Sequence, residues 1–233
     1  MQSHRRFGFL IVCLLLLIAG NSTRAASEVE YSARLHVSSR QQLEQRLDAP
    51  FAEGVAHPAG VSNCAQLLDQ RGHAPQVKGS DRQLQAERST LAECLVLQQL
   101  WSAKPARTSY LHELQWDARV LPLLPPQLAI TVSAESERAA RAAAGRGQTW
   151  RDFDPSAAAE AGARGLDEIV VTGKGFVERL ILWGRGDFNG DGLEDLLVQS
   201  LDTLTEGTYR NTRLFVLTRR TAEGPLSVVR SLL

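Results

Sequence analysis

Two hydrophobic rhythms divide the chain. From Ser39 to about Leu124 the apolar residues recur at helical spacing. Leu43 and Leu47 stand one turn apart behind Ser38-Ser39, which predicts a short capped helix ending before Pro50. Ser62 is placed to cap a second helix through Cys64, Leu67 and Leu68, closed by Gly72. Ser80 with Gln83 forms a capping-box pattern for a longer helix bearing Leu84, Leu91, Cys94, Leu95 and Trp101, and Pro105 stops it. Ser109 to Val120 reads as a last helix before Leu121-Pro122-Leu123-Leu124-Pro125-Pro126 imposes an extended connection.

Leu128, Ile130 and Val132 then alternate, which predicts a strand, and Glu135 to Ala144 are strong helix formers ended by Gly145. The stretch from Gly145 to Gly165 is rich in Gly and Ala and reads as a connector. Beyond it the period changes to two: Ile169 to Thr172, Phe176 to Trp183, Leu196 to Leu201, Arg213 to Arg219 and Leu226 to Val229 are strand-like runs. Turn residues such as Gly173-Lys174-Gly175 and Thr205-Glu206-Gly207 separate them. The fold class expected is α+β, with helices first and an antiparallel β meander second. The expected division is a leader over 1–26, a helical region over 27–126, a strand, helix and connector over 127–165, and a β region over 166–233.

The extreme N-terminus changes the picture of where the chain works. His4, Arg5 and Arg6 precede an apolar run from Phe7 to Gly20, followed by the polar Asn21 to Ala26, the layout of a cleavable secretory signal. The run is 14 residues long, short of the ~20 that a spanning helix needs. Cys13 lies inside it and not at the cleavage point, so no lipid anchor is expected. Cleavage after Ala25 or Ala26 removes Arg5, Arg6 and Arg24, which leaves 23 basic groups against 26 acidic ones, a charge near −3. That balance gives no electrostatic reason to expect nucleic acid or an anionic membrane as partner, and no membrane span is expected in the mature chain. Of the basic residues only Lys78, Lys104 and Lys174 are lysines, a bias ascribed here to coding composition.

Two cysteines survive processing, Cys64 and Cys94. In an oxidising compartment an isolated pair is most simply a disulfide, here clamping two consecutive helices. Closing a loop of about 30 residues stabilises a fold by ~3.7 kcal/mol in the chain-entropy model.

One stretch carries chemistry in its spacing. Asp187-Phe188-Asn189-Gly190-Asp191-Gly192-Leu193-Glu194-Asp195 places oxygen side chains at its first, third, fifth and ninth positions and glycine at the sixth. Calcium takes six to eight hard oxygens, and alternate residues of a tight loop can supply them. Asp187, Asn189, Asp191 and Asp195 would give side-chain oxygens and Leu193 its backbone carbonyl, while Glu194, between ligand positions, is expected to face solvent. An EF-hand is unsuitable, because the twelfth loop position, which must be a bidentate Glu, is Val198. The stretch Gly186 to Val198 resembles the calcium loop of FG-GAP and VCBS repeats, D-x-N-x-D-G-x-x-D between β-strands. The resemblance implies a Ca2+ site at these residues; those propellers need several repeats and this chain has one, so it does not imply the propeller.

Other candidates are weaker. His112-Glu113 begins like a zinc-protease signature, but the second histidine position holds Trp116. Gly173-Lys174-Gly175 is too short for a phosphate loop, and His36, His57 and His73 are scattered. Asp152 and Asp154 are read as linker polarity before a catalytic pair. The expectation is an exported, periplasmic or secreted, calcium-binding protein without catalytic function, acting in binding or at the envelope on an unidentified protein or envelope polymer. The alternatives are a calcium-stabilised hydrolase of an envelope polymer and an inhibitor of a secreted enzyme.

Overall fold

The period-two runs of the C-terminal third pair into one antiparallel sheet. In a computed structural model of the chain, residues 28–70, 80–162 and 167–233 are described. The leader with Cys13 and its cleavage point, Gly72, His73 and residues 163–165 of the connector lie outside them. The strands are β1 (Glu30–Tyr31), β2 (Ala158–Ala161), β3 (Glu168–Gly173), β4 (Phe176–Gly186), β5 (Asp195–Leu204), β6 (Arg210–Arg219) and β7 (Leu226–Ser231). They follow the order β2-β3-β4-β5-β6-β7, and β1 pairs with the end of β4 that β3 does not reach. The register between β4 and β5 shifts at Leu182/Gly184, a bulge at Trp183. Gly184 is required there, because a Cβ would lie 2.5 Å from the Glu30 carbonyl oxygen.

The helices are α1 (Arg40–Asp48), α2 (Cys64–Asp69), α3 (Asp81–Ser102), α4 (Ala134–Gly145) and α5 (Trp150–Phe153). Ser39 and Ser80 cap α1 and α3 as the sequence predicts, although the Gln83 side chain donates to Glu87 instead of closing a capping box; α2 is capped by Asn63, whose side-chain Oδ1 accepts from the Gln66 N–H, and not by Ser62. The disulfide joins Cys64 of α2 to Cys94 of α3 with their Cα atoms 5.1 Å apart. The chain is therefore α+β, a disulfide-clamped helical part followed by an antiparallel meander.

Strand alternation gives the sheet two apolar faces. One, with Leu197, Leu214 and Val216, packs on Leu43, Cys94, Leu95 and Leu100 of the helical part. The other, with Leu180, Leu196, Val198 and Phe215, is covered by a wall of chain from Leu111 to Leu128 and by Trp150.

That wall is where the expected elements fail. Ser109 to Val120 form turns leading into a 3-10 helix at Ala118–Leu123, and Leu128 to Val132 form no strand. The reason lies in the hydrogen bonding. Arg185 donates to the carbonyls of Leu111 and Leu114, and Arg213 to those of Gln127, Leu128 and Ala129. Two guanidinium forks from the sheet satisfy carbonyls that a helix or a neighbouring strand would otherwise take. The expected connector also gains structure, since it contains α5 and β2.

Candidate metal loop

The loop connects the end of β4 to the start of β5. Asp187 folds its carboxylate back over the turn, Oδ1 accepting from the Gly190 N–H at 2.6 Å and Oδ2 from the Gly192 N–H at 2.9 Å. Asn189 Oδ1 accepts from the Asp191 N–H and Asp191 Oδ1 from the Leu193 N–H, both at 2.8 Å, so the tip is a run of side-chain-stapled turns. Gly190 and Gly192 sit at φ 86° and 85°, backbone that glycine adopts without penalty. A side chain at Gly192 would also meet the Arg107 guanidinium, with Nε only 2.6 Å from its Cβ.

The segment that follows α3 clasps this loop through main-chain bonds. Lys104 and Asp187 exchange N–H and carbonyl at 3.1 and 2.9 Å, the N–H groups of Arg107 and Thr108 donate to the Gly192 carbonyl, and the Glu194 N–H donates to the Thr108 carbonyl. The loop therefore ties the helical part to the sheet.

Asp195 is the least ordinary member. It is fully buried, 0% exposed, facing Thr218 across the β5–β6 ladder. Its Oδ2 accepts from the Phe188 N–H at 3.1 Å, but its Oδ1 has no hydrogen-bond partner. Burial pushes its pKa up to about 7; the Thr218 hydroxyl and the Phe188 N–H oppose that rise, and the charges of Asp191 and Asp187 add to it. The Thr218 oxygen is close enough to act on the carboxyl yet makes no well-formed bond to it.

Of the five residues singled out in the sequence, Asp187 and Asp195 are buried and face the loop's interior bonds, whereas Asn189 is half-buried and Asp191 exposed, linked side chain to side chain at 3.0 Å. Leu193 is half-buried, with its N–H on Asp191. Among the described residues no group of three or more His, Cys, Asp or Glu side chains is drawn together as a ready metal cluster. Each carboxylate oxygen bound by one N–H nevertheless keeps acceptor capacity. Glu194 departs from expectation: it is buried, and its Oε2 accepts from the Ser109 hydroxyl at 2.5 Å. Because Asp195 starts a strand inward, Glu194 turns to the opposite side, where the wall and not solvent receives it.

The weaker candidates resolve into local structure. His112 and Glu113 lie in a turn, and Trp116 is buried with its indole donating to the Leu180 carbonyl. Gly173-Lys174-Gly175 turns β3 into β4. Thr149 caps α5 and Asp152 closes its capping box, accepting from the Thr149 N–H and hydroxyl, which lowers the Asp152 pKa, while Asp154 accepts from Ser156. His36 ends a 3-10 turn and His57 stacks on Phe51.

Sequence reasoning missed a second polar constellation, Glu178, Ser200, Asp202 and Arg213, buried on the wall-side face of the sheet. A signal was present. Glu178 alternates with Phe176 and Leu180, at an inward position of a run read as a strand.

No protein-family model matches the chain, and no curated protein or solved structure is significantly similar to it.

Proposed function

We propose that this chain is an exported, extracytoplasmic protein that binds calcium at the loop 187–195, in a binding or envelope-associated role and not as a catalyst. One observation carries the reading: a fully buried carboxylate, Asp195, has an oxygen without a partner while the charges of Asp187 and Asp191 bear on it. Burying an unpaired charge is costly, and a hard divalent cation relieves both the missing partner and the mutual repulsion. The ligands are Asp187, Asn189, Asp191 and Asp195 with the Leu193 carbonyl, and the Asn189–Asp191 contact at the tip opens to admit the ion. The resemblance to FG-GAP and VCBS loops supports the same residues.

Export is supported by the basic and apolar start of the sequence and by the Cys64–Cys94 disulfide, which persists in an oxidising compartment. Among the described residues no helix is long and apolar enough to cross a membrane. Calcium here is a clasp. Because the loop is bonded to residues 104–108, ion binding stiffens the junction between α3 and the sheet, where a partner protein or envelope polymer can be presented with a fixed surface.

Calorimetric titration of the mature chain with calcium tests the reading. Binding with Kd of ~10⁻⁴ to 10⁻³ M is expected, lost in Asp187→Ala and Asp191→Ala and kept in Glu223→Ala, which removes an exposed charge outside the loop. Equal binding by all four proteins, or none by the parent, contradicts it.

A further inference from the structure

The second constellation contains two carboxylates, one guanidinium and one hydroxyl, all buried. Glu178 and Asp202 are cross-strand partners on β4 and β5, and Ser200 and Arg213 are partners on β5 and β6. Arg213 lies closest to Asp202: Nη2 donates to Oδ1 at 3.0 Å, and Nε stands 2.8 Å from Oδ2 without the alignment of a hydrogen bond. Its contact with Glu178 Oε1 is longer, at 3.3 Å.

Ser200 provides the decisive count. Its Oγ lies within hydrogen-bond distance of both Glu178 Oε1, at 2.7 Å, and Asp202 Oδ1, while Arg213 Nη2, whose two hydrogens have the closer Leu128 carbonyl and Asp202 Oδ1 as acceptors, stands 3.3 Å away. A serine hydroxyl carries one hydrogen and two acceptor lone pairs. It can donate to only one carboxylate, so the other short contact requires a hydrogen from the acid. Asp202 holds the closer pairing with Arg213, which leaves Glu178 as the carrier.

We propose that Glu178 is a bound-proton site: its carboxylic acid donates to Ser200, Ser200 donates to ionised Asp202, and this relay is a pH-sensitive lock on residues 127–130. Charge then balances as one guanidinium against one carboxylate. The lock reaches the wall because the same Arg213 nitrogens hold the carbonyls of Gln127, Leu128 and Ala129, and the Ile130 N–H bears on Glu178. The other groups facing the cluster are Tyr209, whose hydroxyl donates to the Thr131 carbonyl, and Arg88, Glu137 and Arg141, which share with Arg213 a groove of about 580 Å³ between α4 and the sheet. Burial first, and the Asp202 charge second, raise the Glu178 pKa well above its ordinary value, against the pull of Arg213 and Ser200.

Folding therefore takes up a proton. The stabilisation is fully present below the unfolded carboxyl's pKa, about 4.3, and is lost as pH rises through the higher folded value. Loss of the proton leaves two anions against one cation in a dry site, and the wall at 127–130 must open to hydrate the second.

Thermal unfolding of the parent and of Glu178→Gln across pH 5 to 9, with calcium absent, tests this. Between pH 5 and the folded pKa the parent should lose about 3 °C per pH unit relative to Glu178→Gln, the difference levelling off above that pKa, and the protection factor of the Ile130 amide should fall with pH in the parent alone. Parallel profiles overturn the proposal. If Glu178→Gln does not fold, infrared spectra of the parent at pH 7 decide: a protonated-carboxyl band that shifts on selective ¹³C labelling of glutamate supports the lock, and no such glutamate band overturns it.

Discussion

Asp195 and Asp202 are buried at opposite ends of β5, on opposite faces of the sheet, and the chain treats them differently. Asp202 has Arg213 within 2.8 Å and a hydroxyl that relays a proton from Glu178. Asp195 has two further carboxylates acting on it and no basic group; an oxygen of each residue, Asp195 Oδ1 and Asp202 Oδ2, lacks an aligned hydrogen bond, but only that of Asp202 has a guanidinium beside it. The first cluster carries its own cation, and its remaining need is met by a proton. The second has no basic group acting on Asp195, and on the calcium reading proposed above its need would be met by a cation from outside. The difference shows that burial of acid is not in itself a sign of function; the location of the compensating charge separates a structural lock from a ligand site.

The largest break in that comparison is Arg213→Met. It strands Asp202 and frees three wall carbonyls, so stability should fall by about 3–5 kcal/mol, equally with calcium and with chelator, as read by urea unfolding. A loss under 1 kcal/mol would mean that the cluster is not dry. Next comes Gly192→Ala, which forces a Cβ into left-handed backbone for about 1–2 kcal/mol and displaces Arg107. Unlike Arg213→Met, it should weaken calcium binding in the same titration. Equal calcium affinity in both variants would show that the loop geometry does not define a site.

Much of the fold was legible in the sequence because the relevant signals are local. Ser39 and Ser80 cap their helices, and the runs around Phe176–Trp183 and Leu196–Leu201 are short apolar stretches bounded by turn residues, as strands covered on both faces are. The wall was not legible. Leu128 and Ile130 alternate because they pack on the core, but the carbonyls of Gln127, Leu128 and Ala129 are bonded by Arg213, 85 residues away from Leu128, and no local pattern encodes that. The arginine bias, read as coding composition, has a structural use: Arg46, Arg88, Arg185, Arg213, Arg219 and Arg230 all donate to backbone carbonyls. At the loop, Asp187 to Asp195 were identifiable by spacing. The burial of Glu194 was not, because it depends on Ser109.

The most direct measurement compares parent and Asp195→Asn stability with 1 mM calcium and with chelator. Asparagine keeps an acceptor for the Phe188 N–H and removes the buried charge. Calcium should stabilise the parent by about 0.4 to 1.4 kcal/mol and leave Asp195→Asn unmoved, while in chelator the variant should be at least as stable as the parent. A parent indifferent to calcium, or a variant that responds to it equally, contradicts a calcium site at this loop.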